Sequence, residues 1–161
     1  MLHVIPAIRK YVHMKEYTEP RMHTAEHILN QTMVRMFNKG RSFSSHIEKK
    51  KSKCDYHFDR NLTPGEVTEI ERRANEVINA DLPVSDEFIS RDEASRLYHL
   101  GRLPGNAGDT IRVVRVGDYD ACPCSGKHAA SSGEVGGFAI ISTSHENGVL
   151  RIRFRIPDKA E

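Results

Sequence analysis

His23 and His27 stand four residues apart, and Cys124 and His128 repeat that spacing far down the chain. Inside a helix, residues i and i+4 share one face a turn apart, so two imidazoles there reach one point in space. Three imidazoles and one thiolate make a donor set suited to zinc, one ion per chain. Cys122 offers a second sulfur and is an alternative fourth ligand, although only Cys124 completes a Cys-x3-His spacing. The peptidase pattern His-Glu-x-x-His is not met, because Glu26 precedes the second histidine instead of following the first. A zinc finger closes over a short span, unlike these two distant pairs. The chain holds nine histidines, so any one alone reads as a surface or hydrogen-bonded core residue. The two spaced pairs together point to a metal, structural or catalytic.

The first pair requires a helix, and the run from Pro20 to Asn38 reads as one. Thr18 is its expected N-cap, Pro20 sits in the first turn, and Gly40 is the expected stop. Met22, Ala25, Leu29, Met33 and Met36 form its apolar stripe. His23 and His27 lie roughly 120° from the centre of that stripe, at the edge of the core face. Upstream, Val4, Ile8 and Val12 mark a strand or ordered arm over residues 1–20, with residues 21–161 as the core of a single domain.

Phe43 to Glu48 and Cys54 to Phe58 read as hairpin arms joined by the run Lys49-Lys50-Lys51-Ser52-Lys53. Thr63-Pro64-Gly65-Glu66 is a capping box that opens a second helix with Val67, Ile70, Ala74, Val77 and Ile78 on its buried stripe. Pro83 to Ile89 reads as a strand, and Ser90-Arg91-Asp92-Glu93 opens a third helix to about Leu100. After a loop over 101–109, Thr110 to Val116 is a strand, whereas 120–136 shows no periodicity. Gly137 to Ser144 and Val149 to Ile156 are strands joined through Asn147-Gly148. This order predicts an α+β fold, a largely antiparallel sheet packed around a long metal-bearing helix.

At 161 residues, with 38% hydrophobic and 29% charged residues, the chain can bury a real core without staples. Three cysteines argue against a disulfide framework. No apolar run approaches the roughly 18 residues of a membrane span, and no signal peptide is legible, so no membrane is expected and the expected location is cytoplasmic. A net charge of +2 neither demands nor excludes nucleic acid.

The stretch His23-Thr24-Ala25-Glu26-His27-Ile28-Leu29 resembles the first metal motif of the editing domain shared by alanyl-tRNA synthetases, threonyl-tRNA synthetases and free-standing alanyl-tRNA editing proteins. Cys124-Ser125-Gly126-Lys127-His128, with Ser131-Ser132-Gly133-Glu134-Val135-Gly136 after it, is similar to the second. His57-Phe58-Asp59, Leu62-Thr63, Leu82-Pro83-Val84 and the ending Gly148 to Ile152 match the same family's middle and last hairpin. The resemblance implies a two-layer editing-domain fold, and the short chain is expected to be the editing core alone, acting in trans.

It implies hydrolysis of the ester joining a wrong amino acid to the 3′ end of a tRNA, most simply serine or glycine on alanine tRNA. Four protein ligands close a tetrahedral zinc site, so catalysis needs five-coordination, exchange of Cys124, or a metal that anchors substrate. By resemblance, the Thr24 hydroxyl meets the hydroxyl of a seryl group; otherwise it is a helix-surface threonine. Glu134 orients a ligand or the water at the metal, or else bonds the backbone of its turn. His46 lies on the strand that borders the pocket in relatives. The tRNA phosphates would meet Lys49, Lys50, Lys51 and Lys53, and secondarily Arg151 and Arg153, a row that with Arg155 also reads as the solvated face of a sheet. No nucleotide cofactor is implied, and the expected state is a monomer or weak homodimer. Rival readings are clearance of serine from threonine tRNA and a non-catalytic zinc-stabilised module that binds RNA or protein.

Overall fold

The computed structural model describes residues 19–101, 103 and 108–158. The expected N-terminal arm and Thr18 lie outside the described residues, as does part of the loop over 101–109. Helix α1 (Pro20–Phe37) starts from Glu19, an extended residue whose side chain makes no capping bond. Pro20 follows it, where a missing N–H costs nothing. The helix stops at Asn38 rather than Gly40, because Asn38 takes the left-handed conformation at φ 51°, which a short polar side chain tolerates. At 18 residues α1 is shorter than the long helix expected.

Strands β1 (Ser44–His46) and β2 (Ser52–His57) form the hairpin around the lysine run. Helix α2 (Pro64–Asn79) opens on the reciprocal Thr63–Glu66 capping box. Strand β3 (Val84–Ser90) leads into α3 (Arg91–Leu97), where the Ser90 hydroxyl accepts from the Glu93 N–H. Strands β4 (Thr110–Val116), β5 (Asp120–Pro123), β6 (Ala139–Glu146) and β7 (Val149–Arg155) complete the fold, with a 3₁₀ turn at Ser132–Val135. Asn147 and Gly148, at φ 51° and 77°, make the two-residue turn between β6 and β7, the pairing whose twist suits a hairpin.

The single expected sheet is in fact two. One runs β1-β2-β7-β6 and the other β3-β4-β5, and every pairing is antiparallel. The difference comes from β5, inside the stretch read as aperiodic. β5 shows no apolar alternation because Asp120, buried at 3% exposure, is the side chain it turns toward α1. Paired to β4, it completes a separate meander.

The core joins α1 to the four-stranded sheet. Met22, Ala25, Leu29 and Met33 of α1 pack in one cluster with Cys54 and Tyr56 of β2, Ile70, Ala74 and Ile78 of α2, and Leu150, Ile152 and Phe154 of β7. Each large apolar side chain buried there contributes about 1.5–3 kcal/mol. That packing fixes the rotation of α1 and hence the direction of its histidines. No described helix is long and apolar enough to cross a membrane.

Candidate metal centre

The apolar stripe of α1 faces the sheet, which leaves His23, Thr24, His27 and Gln31 toward β5 and the segment 124–131. That segment is pinned at both ends. The Cys124 N–H donates to the Arg112 carbonyl at 3.1 Å, and the Arg112 guanidinium donates back to the carbonyls of Cys124 and Gly126 at 3.1 and 2.7 Å. At the far end the Ser132 N–H donates to Leu82 O at 2.8 Å and its hydroxyl to Val77 O at 2.7 Å. Gly126 has to be glycine, since a Cβ there would lie 2.3 Å from His23 Cε1.

So held, His23, His27, Cys124 and His128 each place one donor atom within 4.8 Å of the others. His23 Nε2 and His128 Nε2 both lie 3.5 Å from Cys124 Sγ. A tetrahedral zinc with Zn–S of about 2.3 Å and Zn–N of about 2.0–2.1 Å separates such donors by roughly 3.5 Å, so the residues present fit that ion. Two of the three outward ring nitrogens are anchored by hydrogen bonds. His23 Nδ1 lies 3.1 Å from the Lys127 carbonyl and His128 Nδ1 3.1 Å from the Thr24 hydroxyl. His27 Nδ1 lies 3.6 Å from Asp120 Oδ2.

Cys124 and His128 already stand in the protonation states a metal requires, whereas His27 has to release a proton to bind one. Burial alone would push the Cys124 thiol up, but His128, His23 and His27 around it hold it down at about 2, a thiolate. Burial, together with the charges of the neighbouring imidazoles, pushes His128 down to about 4, a neutral donor. Burial would lower His27 too, but Asp120 and Cys124 outweigh it and raise the ring to about 9. Asp120 is held at about 2 by His27 and Arg41 against the opposite pull of burial.

Residues 111–153 match the family described as the threonyl and alanyl tRNA synthetase second additional domain. Over 147 residues, 87% of the chain is 34% identical to the alanine–tRNA ligase of Methanopyrus kandleri. Residues 111–153 therefore resemble this synthetase domain, and the likeness to an alanine–tRNA ligase extends over most of the chain. A similar relative is the alanine–tRNA ligase of Fervidobacterium nodosum, 36% identical over 86% of the chain. Another is that of Methanococcus maripaludis, 31% identical over 83%. The chain spans only 16% of the length of each of these relatives.

The four expected ligands come together, and the other expected residues fall elsewhere. Cys122 lies outside the four-donor cluster, with Sγ 3.5 Å from the Pro123 carbonyl, and burial pushes its thiol up to about 11. Thr24 is wholly buried rather than on the helix surface. Its hydroxyl donates to Pro20 O at 3.1 Å, accepts from the Ala129 N–H at 3.0 Å and meets His128, so it is engaged inside the fold rather than free for a seryl group. Glu134 accepts from the Ala130 N–H at 3.1 Å, which holds the turn after His128 instead of reaching the donors. His46 stands apart, exposed on edge strand β1 and bonded to Glu48 at 2.7 Å.

Lys49, Lys50 and Lys51 are exposed in the turn between β1 and β2. Lys53 faces Arg153 across the β2–β7 ladder. Arg151 differs from its expected role: it is fastened in a bidentate pair to Asp55 at 2.8 and 2.9 Å.

Sequence reading missed Asp120, Arg41, Gln31, Arg112 and Gly126. Once β5 is known to be a strand, its period sets Asp120 and Cys122 on the same face just before Cys124, but no apolar alternation in the sequence marks it.

Proposed function

We propose that this chain is a zinc-dependent hydrolase of mischarged tRNA, removing serine or glycine from alanine tRNA. The observation that carries the reading is the convergence of three imidazole nitrogens and a thiolate, at zinc-like spacing, in a chain that resembles this synthetase domain. Zinc held by His23, His27, Cys124 and His128 would polarise an ester carbonyl and acidify water. An aminoacyl ester is already activated, so the protein's main tasks are placement and stabilisation of the developing oxyanion.

The residues divide that labour. The Cys124 thiolate offsets part of the metal charge, and Thr24 holds the His128 ring from behind. Glu134 and Arg112 fix the loop that carries Cys124 and His128. His27 is buried, whereas His23, Cys124 and His128 are only half-buried, so the ester approaches from the side away from His27. Lys49, Lys50, Lys51, Lys53 and Arg153 offer cations to tRNA phosphates, whereas Arg151 serves the fold through Asp55.

A second substrate reading, serine on threonine tRNA, is favoured by the family's inclusion of threonyl-tRNA synthetases. The alanine–tRNA ligases among the relatives put alanine tRNA first. The experiment is a deacylation assay on Ser-tRNA(Ala), Gly-tRNA(Ala) and Ser-tRNA(Thr), charged beforehand, with metal analysis of the purified chain. Hydrolysis of the alanine tRNA esters supports the reading. A chain that holds zinc and hydrolyses none of the three overturns it.

A further inference from the structure

We propose that Asp120 is the positioning residue of His27, holding its imidazole with Nδ1 protonated and Nε2 turned to the metal. The inference rests on the metal reading of the site above, and concerns how the chain builds that site.

Among the described residues, His27 Nδ1 is the buried side-chain nitrogen left without a hydrogen-bond partner. His27 itself is 3% exposed, so water does not satisfy it. The group it faces is Asp120 Oδ2, at 3.6 Å. That is beyond a formed hydrogen bond, and a shift of roughly 0.6 Å closes it.

Asp120 is held for this purpose from its other side. Oδ1 accepts from Gln31 Nε2 at 2.8 Å and from Arg41 Nη1 at 2.6 Å, and Arg41 Nη2 reaches Oδ2 at 3.3 Å. The planar guanidinium keeps the carboxylate ionised and fixes its plane. The parts come from three places: Asp120 from β5, Gln31 from the same helix as His27, and Arg41 from the connection to β1. A buried carboxylate of this kind needs partners, and Gln31 and Arg41 leave one lone pair directed at His27.

The other two imidazoles bear on neutral acceptors, the Lys127 carbonyl and the Thr24 hydroxyl. His27 alone is backed by a charge. A carboxylate behind a metal-binding histidine fixes its tautomer, raises its basicity and strengthens metal binding, typically by 10–100-fold.

The test uses the full chain and zinc. Zinc affinity is measured by chelator competition, and the visible spectrum is recorded after cobalt substitution, for the unaltered protein and for Asp120→Asn. The expected result is about 10–100-fold weaker zinc binding with an altered cobalt spectrum. Because Asp120→Asn leaves the half-buried Arg41 guanidinium facing a neutral group, Asp120→Asn with Arg41→Met is measured in parallel. Unchanged affinity and spectrum in either folded variant overturn the proposal. On the unaltered zinc protein, nitrogen-15 correlation of the histidine rings gives the tautomer directly: Nδ1–H on His27 supports the proposal, and Nε2–H overturns it. A chain that binds no zinc ends both this proposal and the metal reading, whereas a chain that binds zinc through a backed His27 yet hydrolyses no aminoacyl-tRNA ends only the substrate reading.

Discussion

Gly126 lies directly against the ring of His23: a methyl group on its α-carbon would come 2.3 Å from Cε1 and 2.6 Å from Nδ1. The loop and the helix therefore approach as closely as a residue without a side chain allows, and Arg112 holds the loop there through two carbonyls. Gly126→Ala must push the ring or the loop away, an overpacking cost of about 1–3 kcal/mol. The expected outcome is zinc binding weakened tenfold or more, read by chelator competition, with an unchanged far-UV spectrum. Unaltered affinity would show that the ring moves aside freely.

Thr24 connects three partners, the His128 ring, the Ala129 N–H and the Pro20 carbonyl. Thr24→Val keeps the shape but leaves a buried N–H unpaired, which costs about 1–3 kcal/mol. Thr24→Ser keeps the hydroxyl and should restore most of that loss. Thermal melting of the two variants, with zinc affinity alongside, checks the point; equal melting of both contradicts it.

The Asp120 carboxylate titrates at about 2 in the fold, below the 3.8 of an unperturbed aspartate. Between those values the unfolded chain binds more protons than the folded one, so stability falls as pH falls. The contribution is complete above about pH 4, amounts to about 2 kcal/mol, and is lost toward pH 2. In metal-free protein, the stability gap between the unaltered chain and Asp120→Asn should therefore shrink from pH 5 to pH 2. Denaturant titrations at each pH read it, and a constant gap would refute the assignment.

Lys53 and Arg153 are cross-strand neighbours, while Arg151, two residue pairs along, is paired to Asp55. Lys53→Ala and Arg153→Ala should each weaken tRNA binding and lower the slope of log affinity against log salt by about 1, with melting unchanged. Arg151→Ala should instead lower the melting temperature, because it strands the Asp55 carboxylate at 8% exposure. Filter binding at several salt concentrations separates the two behaviours.

The helices were legible because their signals are local: the stripe of α1 and the capping box at Thr63 and Glu66 each sit within a few turns of chain. The four metal donors were legible for the same reason, as two i, i+4 pairs. Strand partners were not, since nothing in β3, β4 or β5 alone says that they form a separate sheet. β5 escaped notice because its buried face carries Asp120 rather than an apolar residue, and burying a carboxylate makes sense only once Arg41 and Gln31 are seen around it. Thr24 was noticed for its position between the ligands, but its partners Ala129 and His128 lie across the fold, beyond the reach of spacing.

The most direct measurement is hydrolysis of Ser-tRNA(Ala) by the full chain stripped of metal, then reconstituted with one equivalent of zinc, alongside His23→Ala treated identically. Zinc should restore deacylation to the unaltered chain and not to His23→Ala, both remaining folded. Full activity in the stripped protein, or in His23→Ala, would contradict the assignment of zinc and these four residues as the centre of the reaction.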